Sequence, residues 1–166
     1  MKNRVFVLDS SAFISGVNPN DFQFAITTPS VIEELKDSDS LLRLEVFLEQ
    51  NVLKIVEPNK NSINFVKSII KDSSASSLLS ETDVDILALA FMFSDGYNVT
   101  IVTDDYDIQN FSEAVNAKYL PIMTEGIKNI LKWERYCPNC NREYNYDEDK
   151  VFCDVCGGRL KTRPKR

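Results

Sequence analysis

The chain has four cysteines, at Cys137, Cys140, Cys153 and Cys156. They form two C-x2-C knuckles, "CPNCN" and "CDVCGG", separated by twelve residues. At this spacing four thiolates reach one tetrahedral Zn²⁺, with Zn–S bonds near ~2.3 Å. Iron in a rubredoxin-like site uses the same ligand geometry. Two disulfides would need strained local bridges and an oxidising compartment, and the N-terminus does not read as an export signal. Lys2 and Arg4 there are followed by only a few apolar residues before Asp9. A module of ~30 residues cannot hold together by apolar burial alone, so the metal supplies its folding energy. Four protein thiolates leave no coordination position for water, which makes the zinc structural and places any chemistry elsewhere. The intervening "REYNYDEDKVF" reads as a short hairpin: Tyr144 and Tyr146 alternate, residues 147–149 turn, and Val151-Phe152 return.

Histidine is absent from all 166 residues. That removes Ser-His-Asp triads, Cys-His pairs and imidazole metal ligands. Catalysis must rest on carboxylates, hydroxyls, lysine or metal. The length allows one ordinary domain plus a small module. No apolar run approaches the ~20 residues of a membrane span, so a soluble, cytoplasmic protein is expected. Charge is unevenly spread. Residues 1–125 carry 19 acids against 9 bases, and residues 126–166 carry 6 against 10. The terminal "RLKTRPKR" places five cations in eight residues. With Arg142 and Lys150, its Arg159, Lys161, Arg163, Lys165 and Arg166 form a candidate RNA-binding face, interleaved with Tyr136, Tyr144, Tyr146 and Phe152. The sequence thus divides into a body (1–125), a linker (126–135), a ribbon (136–160) and a basic tail (161–166).

The body alternates strands and helices. Strands are expected at Val5–Leu8, Phe24–Thr27, "VLKIVEP", "NVTIVTDD" and "KYLPIM". Helices are expected at 10–15, from Ser30 (an N-cap with Glu33 closing a capping box) through Leu48, at 61–71, over "TDVDILALAFMFSDGY" with Val84, Leu87, Ala88 and Phe91 on one face and Gly96 at its end, and over "YDIQNFSEAVN". "DSSASSLLSE" reads as a loop or helix junction. This order predicts an α/β fold, a three-layer domain with a mostly parallel central sheet. Sites in such sheets form at the carboxyl ends of the strands. Two strands end there in acids, one at Asp9 and one at Asp104-Asp105. Glu34 and Asp83 lie near helix beginnings. If they share that edge, Asp9, Glu34, Asp83 and Asp104 converge. Each has a simpler role available, as a solvated side chain, a helix-dipole partner or a cap. Together they cannot all stay ionised without a cation, and oxygen ligands suit Mg²⁺ or Mn²⁺. Such a site can bind a phosphodiester and activate water without histidine. Ser10 or Ser11, and Thr103, are placed to support a ligand or a phosphate.

The motifs "FVLDSSAFI", "TTPSVIEEL", "ETDVDILALA" and "IVTDDYDIQN" resemble, in order, the four acidic motifs of PIN-domain nucleases. With the C-terminal four-cysteine ribbon, the chain is similar to the Nob (Nin-one-binding) family in its compact archaeal form. That resemblance implies a metal-dependent endoribonuclease that matures the 3′ end of 16S ribosomal RNA within a small-subunit precursor, using Mn²⁺ or Mg²⁺. It implies Asp9, Glu34, Asp83 and Asp104 as catalytic acids, with Ser10 as the hydroxyl after the first. Glu33, Asp85, Asp105 and Asp107 are neighbouring alternatives for metal or substrate work. The zinc ligands map to Cys137, Cys140, Cys153 and Cys156. Other readings fit parts of the chain. A non-catalytic RNA- or ribosome-binding module could share the fold. A toxin-type PIN ribonuclease generally lacks a basic ribbon. A phosphoacceptor receiver expects an early acidic pair and a late lysine. A dehalogenase-type phosphatase expects D-x-D, whereas Asp9 is followed by Ser10 and Ser11.

Overall fold

The computed structural model describes residues 2–71, 79–122, 133–145 and 150–164. It divides into two compact units, Met1–Ile127 and Lys128–Arg166.

In the first unit five strands form one parallel sheet: β1 (Asn3–Leu8), β2 (Ala25–Thr27), β3 (Leu53–Ile55), β4 (Tyr97–Val102) and β5 (Lys118–Leu120). Their spatial order is β3-β2-β1-β4-β5. Helices flank the sheet: α1 (Ser10–Ser15), α2 (Pro29–Glu34), α3 (Ser38–Glu49), α4 (Lys60–Lys71), α5 (Glu81–Ser94) and α6 (Tyr106–Ser112). A sheet covered on both faces needs apolar residues on both sides of its central strands. β1 meets that demand with Val5, Phe6, Val7 and Leu8, all buried, and β4 with Val99, Ile101 and Val102. Phe13 packs edge-on against Phe47 under this layer.

Several local expectations change in the structure. The helix expected to start at Ser30 begins at Pro29, and Thr28 is its N-cap, accepting from the Val31 N–H at 3.3 Å. Proline favours the first helical position because its missing N–H would be unpaired there anyway. The single long helix breaks at Leu35. Asp37 then caps α3, accepting from the Ser40 N–H at 2.8 Å and its hydroxyl at 2.6 Å. α5 is buried on nearly every side, through Val84, Ile86, Leu87, Ala88, Leu89 and Ala90, and not along one stripe. It therefore behaves as a core helix, and the residue at its C-cap is Asp95, not Gly96. Most of the loop expected at "DSSASSLLSE" lies outside the described residues.

The second unit is a three-stranded antiparallel sheet, β6 (Trp133–Tyr136), β7 (Glu143–Asn145) and β8 (Lys161–Pro164), in the order β7-β6-β8. Most of the hairpin expected between Tyr144 and Phe152 lies outside the described residues. β7 pairs with β6, and Phe152 bridges Arg159. β6 starts inside the stretch read as linker, and β8 occupies residues read as tail. β8 pairs only with β6 and so lies at the sheet's edge, where a proline such as Pro164 is tolerated. Tyr146 and residues 147–149 lie outside the described residues.

Candidate active site and metal centre

In an open parallel sheet, the crevice forms where the strand order reverses, outside the carboxyl ends. Here that point lies between β1 and β4. Leu8 pairs with Val102, so the next residues, Asp9 and Thr103, emerge side by side. The Asp9 N–H donates to the Val102 carbonyl at 3.2 Å, continuing the ladder by one step.

Asp9 is 5 % exposed. A buried carboxylate needs donors, and this one has a full set. Oδ1 accepts from the Ser10 N–H at 2.7 Å and the Ser10 hydroxyl at 3.3 Å. Oδ2 accepts from the Ser11 hydroxyl at 3.0 Å and the Thr103 hydroxyl at 2.8 Å. All four donors are neutral. Thr103, fully buried, also accepts from the Asp105 N–H at 3.0 Å. The Ser11 hydroxyl accepts from the Asp104 N–H at 3.3 Å. Two short polar segments from distant parts of the sequence are thereby laced together.

The remaining acids occupy distinct settings. Asp104 Oδ1 accepts from the Ile122 N–H at 2.6 Å, which ties the carboxylate to the chain beyond β5. Asp105 caps α6, accepting from the Asp107 N–H at 2.7 Å and the Ile108 N–H at 3.4 Å. Asp83 sits in the first turn of α5 in a capping box with Ser80, whose N–H it accepts at 2.7 Å. Partial burial raises the Asp83 pKa above the ordinary carboxylate value, and the nearby negative charges of Asp105 and Asp9 add to the rise. Asp9, Asp83 and Asp105 therefore share one electrostatic neighbourhood. Asp85, one of the alternatives, accepts from the Ser30 hydroxyl at 2.7 Å and latches α2 to α5. Glu33 and Glu34 are exposed at the end of α2, not in its first turns. Among the described residues no three carboxylates bring oxygens within 4.8 Å of one another.

The four cysteines do come together. Their sulfurs all lie within 4.8 Å, with Cys137–Cys156 at 3.3 Å and Cys140–Cys153 at 3.5 Å. A tetrahedron with ~2.3 Å metal–sulfur bonds has edges of about 3.8 Å, so the spacing is that of a ligand set. The thiols are free, and no disulfide joins them. The knuckles are built alike. The Cys137 N–H donates to the Arg142 carbonyl and the Cys153 N–H to the Gly158 carbonyl, at 2.9 and 2.8 Å. Asn141 and Gly157 turn each loop through the left-handed region, with φ 58° and 71°. Arg142, Lys150, Arg159 and Lys161 are exposed, Arg163 lies on β8, and Lys165 and Arg166 lie outside the described residues.

Sequence reading gives Ser30 as a cap and does not single out its bond to Asp85, the Ile122 N–H or a role for Ser11 in joining Asp9 to Asp104. Only "SS" after Asp9 hinted at the last; the other two depend on chain segments that meet through folding.

A parallel αβ sheet with acids at its switch point and a following four-thiolate ribbon defines a PIN-type nuclease body joined to a metal-binding module. Residues 6–93 match the family model described as the PIN domain of ribonuclease. The chain is 36 % identical over 160 residues to Endoribonuclease Nob1 of Methanothermobacter thermautotrophicus, covering 96 % of this chain and 93 % of that one. It is 33 % identical to Endoribonuclease Nob1 of Pyrococcus abyssi, covering 96 % and 94 %. It is also 34 % identical to the 20S-pre-rRNA D-site endonuclease NOB1 of Saccharomyces cerevisiae, covering 98 % of this chain and 34 % of the longer yeast protein. The chain belongs to the Nob endoribonuclease family. Among the described residues no helix is long and apolar enough to cross a membrane.

Proposed function

We propose that this protein is a metal-dependent endoribonuclease that cuts precursor small-subunit (16S) ribosomal RNA to form its mature 3′ end, working in the cytoplasm on the small-subunit precursor particle. The observation that carries the reading is the hydroxyl-locked Asp9 at the sheet's switch point, beside Asp83 and the Asp104–Asp105 turn. The relative named as a 20S-pre-rRNA endonuclease supports the class of substrate.

The donor set suits a hard divalent cation. Asp9 collects only neutral donors, and among the described residues no cationic side chain hydrogen-bonds Asp9, Asp83 or Asp105. Asp9, Glu34, Asp83 and Asp104 would hold Mn²⁺ or Mg²⁺, with Asp85 and Asp105 as further candidates. When bound, such an ion supplies Lewis-acid charge and lowers the pKa of water. The chain's own groups do the rest. Ser10, Ser11 and Thr103 hold the Asp9 carboxylate in one orientation, Ile122 orients Asp104, and Ser80 orients Asp83. Water adds to phosphorus and the P–O3′ bond breaks, leaving a 3′-hydroxyl on the ribosomal RNA and a 5′-phosphate on the released piece. Zn²⁺ fills the four thiolates and shapes the ribbon. Arg142, Lys150, Arg159, Lys161, Arg163, Lys165 and Arg166 supply its salt-sensitive grip on RNA.

The test is cleavage of a short RNA spanning the end of the host's small-subunit rRNA and its 3′ extension, with Mn²⁺, Mg²⁺ or EDTA. Metal-dependent cutting at one position is expected, with a loss of at least about a hundredfold in Asp9→Asn and unchanged RNA affinity. Undiminished cutting by Asp9→Asn overturns the site. Tight binding without cutting, also within the assembled particle, leaves a binding module.

A further inference from the structure

The ribbon's small core consists of Cys137, Tyr144 and Cys153, with Leu160 against it. It therefore buries one side-chain polar group that does not ligate metal, the Tyr144 hydroxyl. Tyr144 is 6 % exposed, so the hydroxyl must find partners inside the protein. It lies 3.0 Å from Cys153 Sγ and 2.5 Å from Asp154 Oδ1. The Asp154 N–H donates to it at 3.3 Å. Asp154 in turn accepts from Lys150 Nζ at 3.2 Å and has Arg142 Nε at 3.9 Å.

The four sulfurs are not equivalent. Cys140 and Cys156 are exposed, where water can solvate a thiolate. Cys137 and Cys153 are buried, where only protein donors can. The Val155 N–H donates to Cys153 Sγ at 3.4 Å, and the Cys156 N–H is a second backbone donor to it. The tyrosine hydroxyl is a shorter contact than the Val155 N–H, and a hydrogen bond to an ionised acceptor is the stronger kind. Groups that hold a metal ligand from outside typically matter by ~10–100-fold in affinity.

We infer that Tyr144 is a positioning residue of the zinc centre: its hydroxyl steadies the buried Cys153 thiolate toward the metal, while Asp154, itself held by Lys150 and Arg142, keeps the hydroxyl in place. A tyrosine hydroxyl has one proton and here two acceptors. The one proton is shared between Asp154 Oδ1 at 2.5 Å and Cys153 Sγ at 3.0 Å. The inference rests on the assignment of zinc to the four thiolates.

The experiment uses the full chain as wild type, Tyr144→Phe and Tyr97→Phe, the last a control in the body. Each is loaded with Co²⁺ to record the thiolate-to-cobalt charge-transfer bands, and Zn²⁺ then displaces Co²⁺ against a chelator. Tyr144→Phe keeps its ring in the core, and a tetrahedral cobalt spectrum certifies that the ribbon is folded. The expected result is about tenfold weaker zinc binding with shifted charge-transfer bands in Tyr144→Phe, and wild-type behaviour in Tyr97→Phe. Affinity within twofold of wild type overturns the inference. So does weaker binding with unmoved bands, which would make the hydroxyl a packing element only. Failure of the wild type to take one ion per chain overturns the zinc assignment and this inference together, and leaves the cleavage assay on the body untouched.

Discussion

The body and the ribbon solve opposite problems with the same material, charge-bearing side chains on a small sheet. The body buries an apolar layer first, with Val5, Val7, Leu8, Ile86, Leu87, Leu89, Ile101 and Val102 all fully shielded. Its acids sit at the rim of that layer and are held by hydroxyls and backbone amides. The ribbon has no comparable layer. Its described core is two ligands, a tyrosine and a leucine at the margin, while Val151, Phe152 and Val155 lie exposed. There, in the proposed reading, a metal held by the four thiolates takes the place of a core. The lesson is that burial organises the body, whereas the ribbon gathers four cysteine sulfurs around a much smaller apolar cluster.

Zinc removal should break the comparison open most widely. Structural zinc contributes on the order of 10 kcal/mol of folding free energy to modules of this size. Chelation, or Cys137→Ser, is therefore expected to abolish ordered amide signals across 133–164 and leave the melting of the body unchanged. Amide spectra and a thermal melt check both halves. Joint unfolding would mean that the units are not energetically separate.

The converse perturbation is smaller. Ile86 is fully buried on α5. Ile86→Ala should cost the body about 2–5 kcal/mol, from lost transfer energy and the cavity left behind. Zinc stoichiometry should not change. Denaturant melts read the first effect and metal analysis the second.

The smallest effect sharpens the contrast at the acidic rim. Asp83 has its pKa raised in the folded body, chiefly by desolvation. The folded state therefore favours the protonated acid, and the stability this gives is lost as pH rises from the ordinary carboxylate value through the raised one. With EDTA present, Asp83→Asn should match the wild type below that window. Above it the variant should melt slightly higher, by less than the Ile86→Ala loss. It keeps an amide oxygen for the Ser80 N–H, so the cap survives. Adding Mn²⁺ should reverse the order, because the wild type alone retains the ligand charge. Melts at several pH values with and without metal test this; a variant less stable in EDTA at neutral pH would show that the acid is not strained there.

Much of the architecture is readable because it is local. Alternating strands and helices follow from apolar periodicity, which also marks α5, while the Ser80–Asp83 capping box that starts it is seen in the structure. The helix after β2 was harder, because Ser30 looks like a cap until Pro29 is recognised as the first helical residue and Thr28 as the cap. Ser30 then turns to Asp85, 55 residues away, a contact no local pattern records. The ribbon's strands were misplaced for a related reason. β6 and β8 contain no strong alternation and exist because the knuckles bring their ends together.

What the sequence alone determined is the set of available chemistries. Without histidine, and with acids at strand ends and two C-x2-C knuckles, it limits the available groups to carboxylates, hydroxyls, lysine and thiols on an α/β body. It also places Asp9, because a strand as apolar as Val5–Leu8 delivers the next residue to the sheet edge. The tertiary structure alone decided which groups meet there. Register between β1 and β4 sets Thr103 against Asp9, the segment after β5 engages Asp104, and the charges of Asp9 and Asp105 fall on Asp83. The first spans ninety-four residues and the others link separate elements, which periodicity cannot encode because it describes one element at a time.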